Sequence, residues 1–130
     1  MENKSILVIE DEKPLAGAIK IKLESGGFGV TTARSVDQAI GYLEDLGTVD
    51  VIWLDHYLLG QENGLDFITK LKAHGGKWAQ IPIFVVSNTA SDGNVQSYIR
   101  FGVNKYYIKA EHRLDEIIND IKDFLDQSEE

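Results

Sequence analysis

Glu10-Asp11-Glu12 follows directly on the apolar stretch Ile6-Leu7-Val8-Ile9, and Asp55 follows a second one, Val51-Ile52-Trp53-Leu54. A hydroxyl, Ser87, closes the run Ile81-Pro82-Ile83-Phe84-Val85-Val86, and an ammonium, Lys109, closes Lys105-Tyr106-Tyr107-Ile108. If these ends meet, the chain gathers several carboxylates in one place. Two unit charges about 4 Å apart interact by roughly 4 kcal/mol at an effective dielectric near 20. Such a group destabilises the fold unless a cation enters or protons are taken up. Mg²⁺ suits it, because that ion takes oxygen ligands, keeps several waters and is usually held by one or two carboxylates. The chain has no cysteine, and His56, His74 and His112 do not converge by spacing, so no softer site competes. A carboxylate beside a metal, a lysine and a small hydroxyl can carry out phosphoryl transfer. Asp55 is the best candidate nucleophile, because it ends a central, fully apolar run, and it would form an acyl phosphate. The metal and Lys109 would neutralise the transferring group, and Ser87 would hydrogen-bond to it once it arrived.

Short strands must carry these groups to a common edge. The first three runs, with a weaker one at Lys105-Tyr106-Tyr107-Ile108 and a still weaker one at Val30-Thr31-Thr32-Ala33, are continuously apolar rather than alternating, which points to strands buried on both faces of a parallel sheet. Between them lie helical patterns. The first helix starts near Pro14 and ends at Gly26-Gly27. A second carries Val36, Ala39, Ile40, Leu43 and Leu46, with Ser35 and Gln38 spaced as a capping box. A third carries Leu65, Ile68 and Leu71, and a fourth runs roughly from Ser91 to Phe101. The last shows one stripe of Leu114, Ile117, Ile118, Ile121, Phe124 and Leu125. Strand and helix alternate five times, so the expectation is an α/β fold: a five-stranded parallel sheet with helices on both faces. In such sheets the functional crevice lies beyond the carboxyl ends of the strands.

The bulk properties bound the rest. At 130 residues and 43% apolar composition the chain is expected to be one domain, residues 1–130. A net charge of −8 argues against direct nucleic-acid binding. No segment has the length or composition of a signal peptide or membrane span, so a cytoplasmic location with no membrane association is expected. The acidic tail, Asp126 to Glu130, reads as a frayed, solvated end.

Ile6-Leu-Val-Ile-Glu-Asp-Glu12, Asp50-Val-Ile-Trp-Leu-Asp55, Val85-Val-Ser87 and Tyr106-Tyr-Ile-Lys109 together resemble the receiver domains of two-component response regulators, in particular stand-alone, chemotaxis-regulator-like ones. The resemblance covers nearly the whole chain. It implies the (βα)5 flavodoxin-like receiver fold and phosphorylation of Asp55 by a histidine kinase or phosphotransfer protein. It also implies Mg²⁺ bound by Asp11, Asp55 and the Tyr57 backbone carbonyl, with Glu10 acting largely through water. Ser87 and Lys109 would grip the phosphoryl oxygens, and Tyr106 would be an aromatic switch. A downstream protein would read the surface of helix four, strand five and helix five. Such a protein catalyses only its own phosphorylation and dephosphorylation. This chain departs from the family's pattern at several positions. Leu59 replaces a usual Pro, and Gly64 falls one residue late, so the loop after Asp55 is longer. Asn88 follows Ser87 where a smaller residue is usual and would crowd the phosphoryl group. Ala110 replaces the Pro after Lys109, and a cis bond is not expected there because a non-Pro cis peptide costs about 3 kcal/mol.

Two rival functions share these residues. One is a Mg²⁺-dependent phosphohydrolase of related fold, which would need a second acid/base carboxylate and a substrate-capping insertion. The other is a receiver-like interaction scaffold that is not phosphorylated. Read singly, Glu10, Asp11 and Glu12 could merely start a helix, Ser87 could be a cap, and Tyr106 a half-exposed strand residue. His56 reads as a solvated loop histidine, and Trp53 and Trp78 read as packing residues.

Overall fold

The apolar runs become strands because each is too short for a helix and is covered on both sides. A computed structural model describes residues 4–88 and 91–128. Along them β1 (Ser5–Ile9), β2 (Gly29–Ala33), β3 (Val51–Leu54), β4 (Ile83–Ser87) and β5 (Lys105–Ile108) alternate with helices. The helices are α1 (Lys13–Ser25), α2 (Val36–Leu46), α3 (Gly64–His74), α4 (Asp92–Arg100) and α5 (Leu114–Ser128). The strands form one parallel sheet in the order β2-β1-β3-β4-β5. This is the five-stranded flavodoxin-like arrangement expected. β4 begins at Ile83 rather than Ile81. Pro82, which has no N–H to give a ladder, stays outside it and accepts from the Ile52 N–H at 2.9 Å.

Successive side chains of a strand point to opposite faces, and the sheet accordingly has two cores. Ile6, Val8, Trp53, Phe84, Val86 and Tyr107 pack with Ile19 and Leu23 of α1 and Ile117 and Ile121 of α5. Leu7, Ile9, Ile52, Leu54 and Val85 pack with Leu43 of α2, Phe67 and Leu71 of α3, and Tyr98 of α4. Each fully buried aliphatic or aromatic side chain contributes roughly 1.5–3 kcal/mol.

Local chemistry sets the helix limits. Pro14 lies in the first turn of α1. Ser35 caps α2 by accepting from Gln38 N–H, but the Gln38 side chain accepts from Arg34 N–H at 2.7 Å instead of completing a box with Ser35. The full capping box is at α3, where Asn63 and Asp66 each accept from the other's backbone N–H. α5 extends through Asp126 to Ser128, and residues 129–130 of the acidic tail lie outside the described residues. No helix among the described residues is long and apolar enough to cross a membrane.

Candidate metal centre

In the sheet order β1 lies between β2 and β3, so the chain switches direction there and leaves a crevice beyond the carboxyl ends of β1 and β3. Register places the candidate residues around it. Ile9 pairs with Leu54 and Leu54 with Val85, which brings Glu10 and Asp55 to the same level. Ser87 pairs with Ile108, one residue before Lys109.

Glu10, Asp11 and Asp55 each present a carboxylate oxygen, and the three lie within 4.8 Å of one another. Glu10 is 0% exposed and Asp55 3%, so the charges have little water to screen them. Lys109 bridges two of the three, with Nζ 2.7 Å from Glu10 Oε1 and 3.0 Å from Asp55 Oδ2. The other oxygens are also held: Glu12 N–H donates to Glu10 Oε2 at 3.1 Å, and His56 N–H donates to Asp55 Oδ1 at 2.7 Å. Arg34 Nε donates to the Asp11 carbonyl at 3.0 Å, which ties β2's end to β1's.

One ammonium does not balance three carboxylates. Burial, and then the charge of Asp55, push Glu10 up to about 7 against its bond to Lys109. Burial works against the Lys109 ammonium, but the bond to Glu10 and the charge of Asp55 hold it above its ordinary range. The donor set is entirely oxygen and short of positive charge, which fits a hard divalent cation such as Mg²⁺.

Ser87 is fully buried and hydrogen-bonded to Tyr106, a half-buried residue that burial shifts above its ordinary titration range. Tyr57 is 58% exposed in the loop after β3. The longer loop is braced by Leu59 N–H donating to the Arg34 carbonyl at 2.9 Å, and it turns at Gly60, whose φ of +95° favours glycine. No peptide bond among the described residues is cis, so Lys109–Ala110 is trans as expected. Asn88 is exposed and lines a cleft of about 330 Å³ with Lys109, Ala110 and His112.

One expectation is overturned. His56 is not a solvated loop residue; it is 5% exposed, and burial lowers its titration below the ordinary range. Its Nδ1 is hydrogen-bonded to the hydroxyl of Tyr98 across 2.7 Å, and its Nε2 stands 3.4 Å from Asn94 Nδ2. Sequence reasoning missed Tyr98 altogether. Its only signal was an aromatic residue in the least apolar helix, and its partner lies 42 residues away.

Residues 6–122 match the family model described as response regulator receiver domain. Transcriptional regulatory protein YvrH of Bacillus subtilis (strain 168) is 32% identical over 110 residues, covering 84% of this chain and 44% of that protein. Transcriptional regulatory protein CpxR of Escherichia coli (strain K12) is 27% identical over 104 residues, 80% of this chain and 42% of that one. The chain thus spans less than half the length of these curated relatives. Among solved structures, a two-component response regulator from Clostridium difficile matches with a TM-score of 0.86 and 22% identity over 98% of this chain and 100% of that chain. A CheY-like receiver domain protein from Methanospirillum hungatei JF-1 matches with a TM-score of 0.85 and 23% identity over 98% of each chain.

Proposed function

The chain belongs to the response regulator receiver domain family of phosphorylation-dependent signalling modules, and on that premise we propose that Asp55 accepts a phosphoryl group from a histidine kinase or phosphotransfer protein. The observation that carries this reading is the meeting of Glu10, Asp11 and Asp55 within 4.8 Å, with Lys109 bonded to Glu10 and Asp55. One Asp55 carboxylate oxygen attacks the phosphorus of a phosphohistidine. The P–N bond breaks, and the leaving imidazole nitrogen keeps the electron pair and takes a proton from solvent. The product is an acyl phosphate. Attack of water at phosphorus later releases phosphate and restores the carboxylate.

Lys109, already 3.0 Å from Asp55, and Ser87 hold the phosphoryl oxygens. Asp11, Asp55 and the Tyr57 backbone carbonyl would hold Mg²⁺, with Glu10 acting largely through water, and the ion when bound would supply positive charge to the transferring group. No turnover of an outside substrate is part of this reading; the protein acts only on its own phosphorylation and dephosphorylation.

The signal depends on Ser87 changing partners. Ser87 is bonded to Tyr106 in the unphosphorylated chain. Drawn to the phosphoryl group, it releases Tyr106, and the surface of α4, β5 and α5 changes. A downstream protein responds only if it binds the two surfaces with different affinity. The reading includes a cytoplasmic location and excludes direct contact with nucleic acid or membrane.

Labelling with radioactive acetyl phosphate, or with a phosphorylated histidine phosphotransfer protein, in the presence of Mg²⁺ tests this. Wild type takes up close to one phosphoryl group and Asp55→Ala takes up none. Equal labelling of the two would sink the proposal, and turnover of small phosphomonoesters far above stoichiometry would favour the phosphohydrolase.

A further inference from the structure

We propose that Tyr98 is a positioning residue for the phosphoacceptor: from α4 it holds the imidazole of His56, and through the His56 main chain it sets the orientation of the Asp55 carboxylate. This rests on the reading of Asp55 as the phosphoacceptor.

The main chain of His56 is fixed on both sides. Its N–H donates to Asp55 Oδ1 at 2.7 Å, and its carbonyl accepts from Gly64 N–H, the first residue of α3, at 2.9 Å. Any rotation of His56 therefore moves a donor off the Asp55 carboxylate. The ring adds a further restraint on that rotation. Asn94 and Tyr98 are four residues apart, so they lie one above the other on a single face of α4. They meet the two ring nitrogens, Tyr98 hydroxyl at 2.7 Å from Nδ1 and Asn94 Nδ2 at 3.4 Å from Nε2. The contact between His56 and Tyr98 is dry: Tyr98 is 0% exposed and His56 5%. In such surroundings a hydrogen bond is stronger than in water, and a missing partner is costly.

The chain has made room for this contact. A Cβ at Gly64 would collide with the Tyr98 hydroxyl, and would stand 2.8 Å from the Asp55 carbonyl oxygen and 3.2 Å from His56 Cα. Gly64 thus leaves a niche at the start of α3 into which the α4 side chain reaches. Tyr98 also lies against Tyr106, their ring centroids 5.6 Å apart and tilted by 50°. Two routes consequently connect the strand ends to α4 and β5. One runs through Ser87 and Tyr106. The other runs through His56 and Tyr98, and it ends on the nucleophile itself.

Tyr98→Phe removes the hydroxyl and keeps the ring, and His56→Phe removes the other partner with little change in size. With Mg²⁺ saturating, the maximal rate of labelling by acetyl phosphate is expected to fall about tenfold in Tyr98→Phe, less than the roughly hundredfold that a 1 Å misplacement of a reacting group can cost, because the ring is kept. The KM for acetyl phosphate is expected to stay unchanged, because the donor is still bound and only the nucleophile is misoriented. In the His56→Phe background Tyr98→Phe is expected to add nothing, since the two residues act as one unit. The amide resonance of His56 shifts in Tyr98→Phe, while amides of α1 and α5 do not, which shows that the variant is folded. Wild-type kinetics in Tyr98→Phe overturn the inference while leaving the phosphoacceptor reading intact. A full tenfold loss on top of His56→Phe also overturns it, because Tyr98 would then act by another path. A wild-type chain that takes no label overturns both.

Discussion

On the face of the sheet covered by α1 and α5, Trp53, Phe84 and Val86 meet Ile19, Leu23, Ile117 and Ile121 in an apolar core. Its polar contacts lie at the margin, where Tyr107 donates to Asp120 at 2.6 Å and Lys105 bonds the same carboxylate at 3.1 Å. On the face covered by α2, α3 and α4, the core continues into a polar line of His56, Tyr98, Tyr106 and Ser87. Trp53 Nε1, the one buried side-chain polar atom without a partner among the described residues, is on the apolar face. An unsatisfied donor of this kind costs about 1–3 kcal/mol, and burial of the surrounding apolar side chains offsets it. The contrast has a mechanical meaning. Close-packed aliphatic side chains have one good arrangement, whereas a hydroxyl or imidazole can trade one partner for another at small net cost. In the proposed switch the first face would anchor the site and the second would carry the change.

Three perturbations test the two faces and the acidic centre between them. Ile121→Ala, at a 0% exposed position under the apolar face, is expected to cost about 2–5 kcal/mol in urea unfolding. Acetyl-phosphate labelling of the folded fraction is expected to be unchanged. A cost below that of a surface substitution would erase the distinction between the faces.

Glu10 belongs to neither face, and its effect is on pH dependence. It titrates at about 7 in the folded chain against an ordinary 4.5, so between those values the folded state holds a proton that the unfolded state has lost. Its contribution to stability is therefore full below 4.5 and lost as pH rises through about 7. In metal-free buffer, stability is expected to fall by on the order of 1–3 kcal/mol across that window. Glu10→Gln is expected to flatten the profile. A wild-type profile that rises across the same window would contradict the uncompensated acidic centre.

Tyr106→Phe tests the movable face and has the smallest expected effect. Loss of its bond to Ser87 is expected to cost about 0.5–1.5 kcal/mol, the net worth of one hydrogen bond at a half-buried residue. A loss as large as that of Ile121→Ala would show that this line of polar groups is as rigid as the apolar core.

The central strand Val51–Leu54 was legible because it is buried on both faces, and the edge strand Lys105–Ile108, only partly buried, also coincides with its run. Helix caps were legible only in part. Ser35 accepts from Gln38 as its spacing suggests, whereas Asn63 and Asp66 form the fuller box without having been picked out. Glu10, Asp11 and Asp55 could be found because each lies within two residues of a strand's end, and parallel strands bring their carboxyl ends to one edge. His56 could not. The alternation of faces along β3 turns it away from Asp55 toward α4, and whether α4 offers water or a tyrosine there depends on how that helix packs.

By itself, then, the sequence determined the elements, their parallel arrangement and the acidic centre, because these follow from local apolar runs and from residues next to them. Only the tertiary structure decided which oxygens Lys109 bridges, that Ser87 is engaged by Tyr106, and that His56 is buried against Tyr98. Those contacts join residues far apart in the chain, and a side chain's burial and hydrogen-bond partner are set by what packs over it.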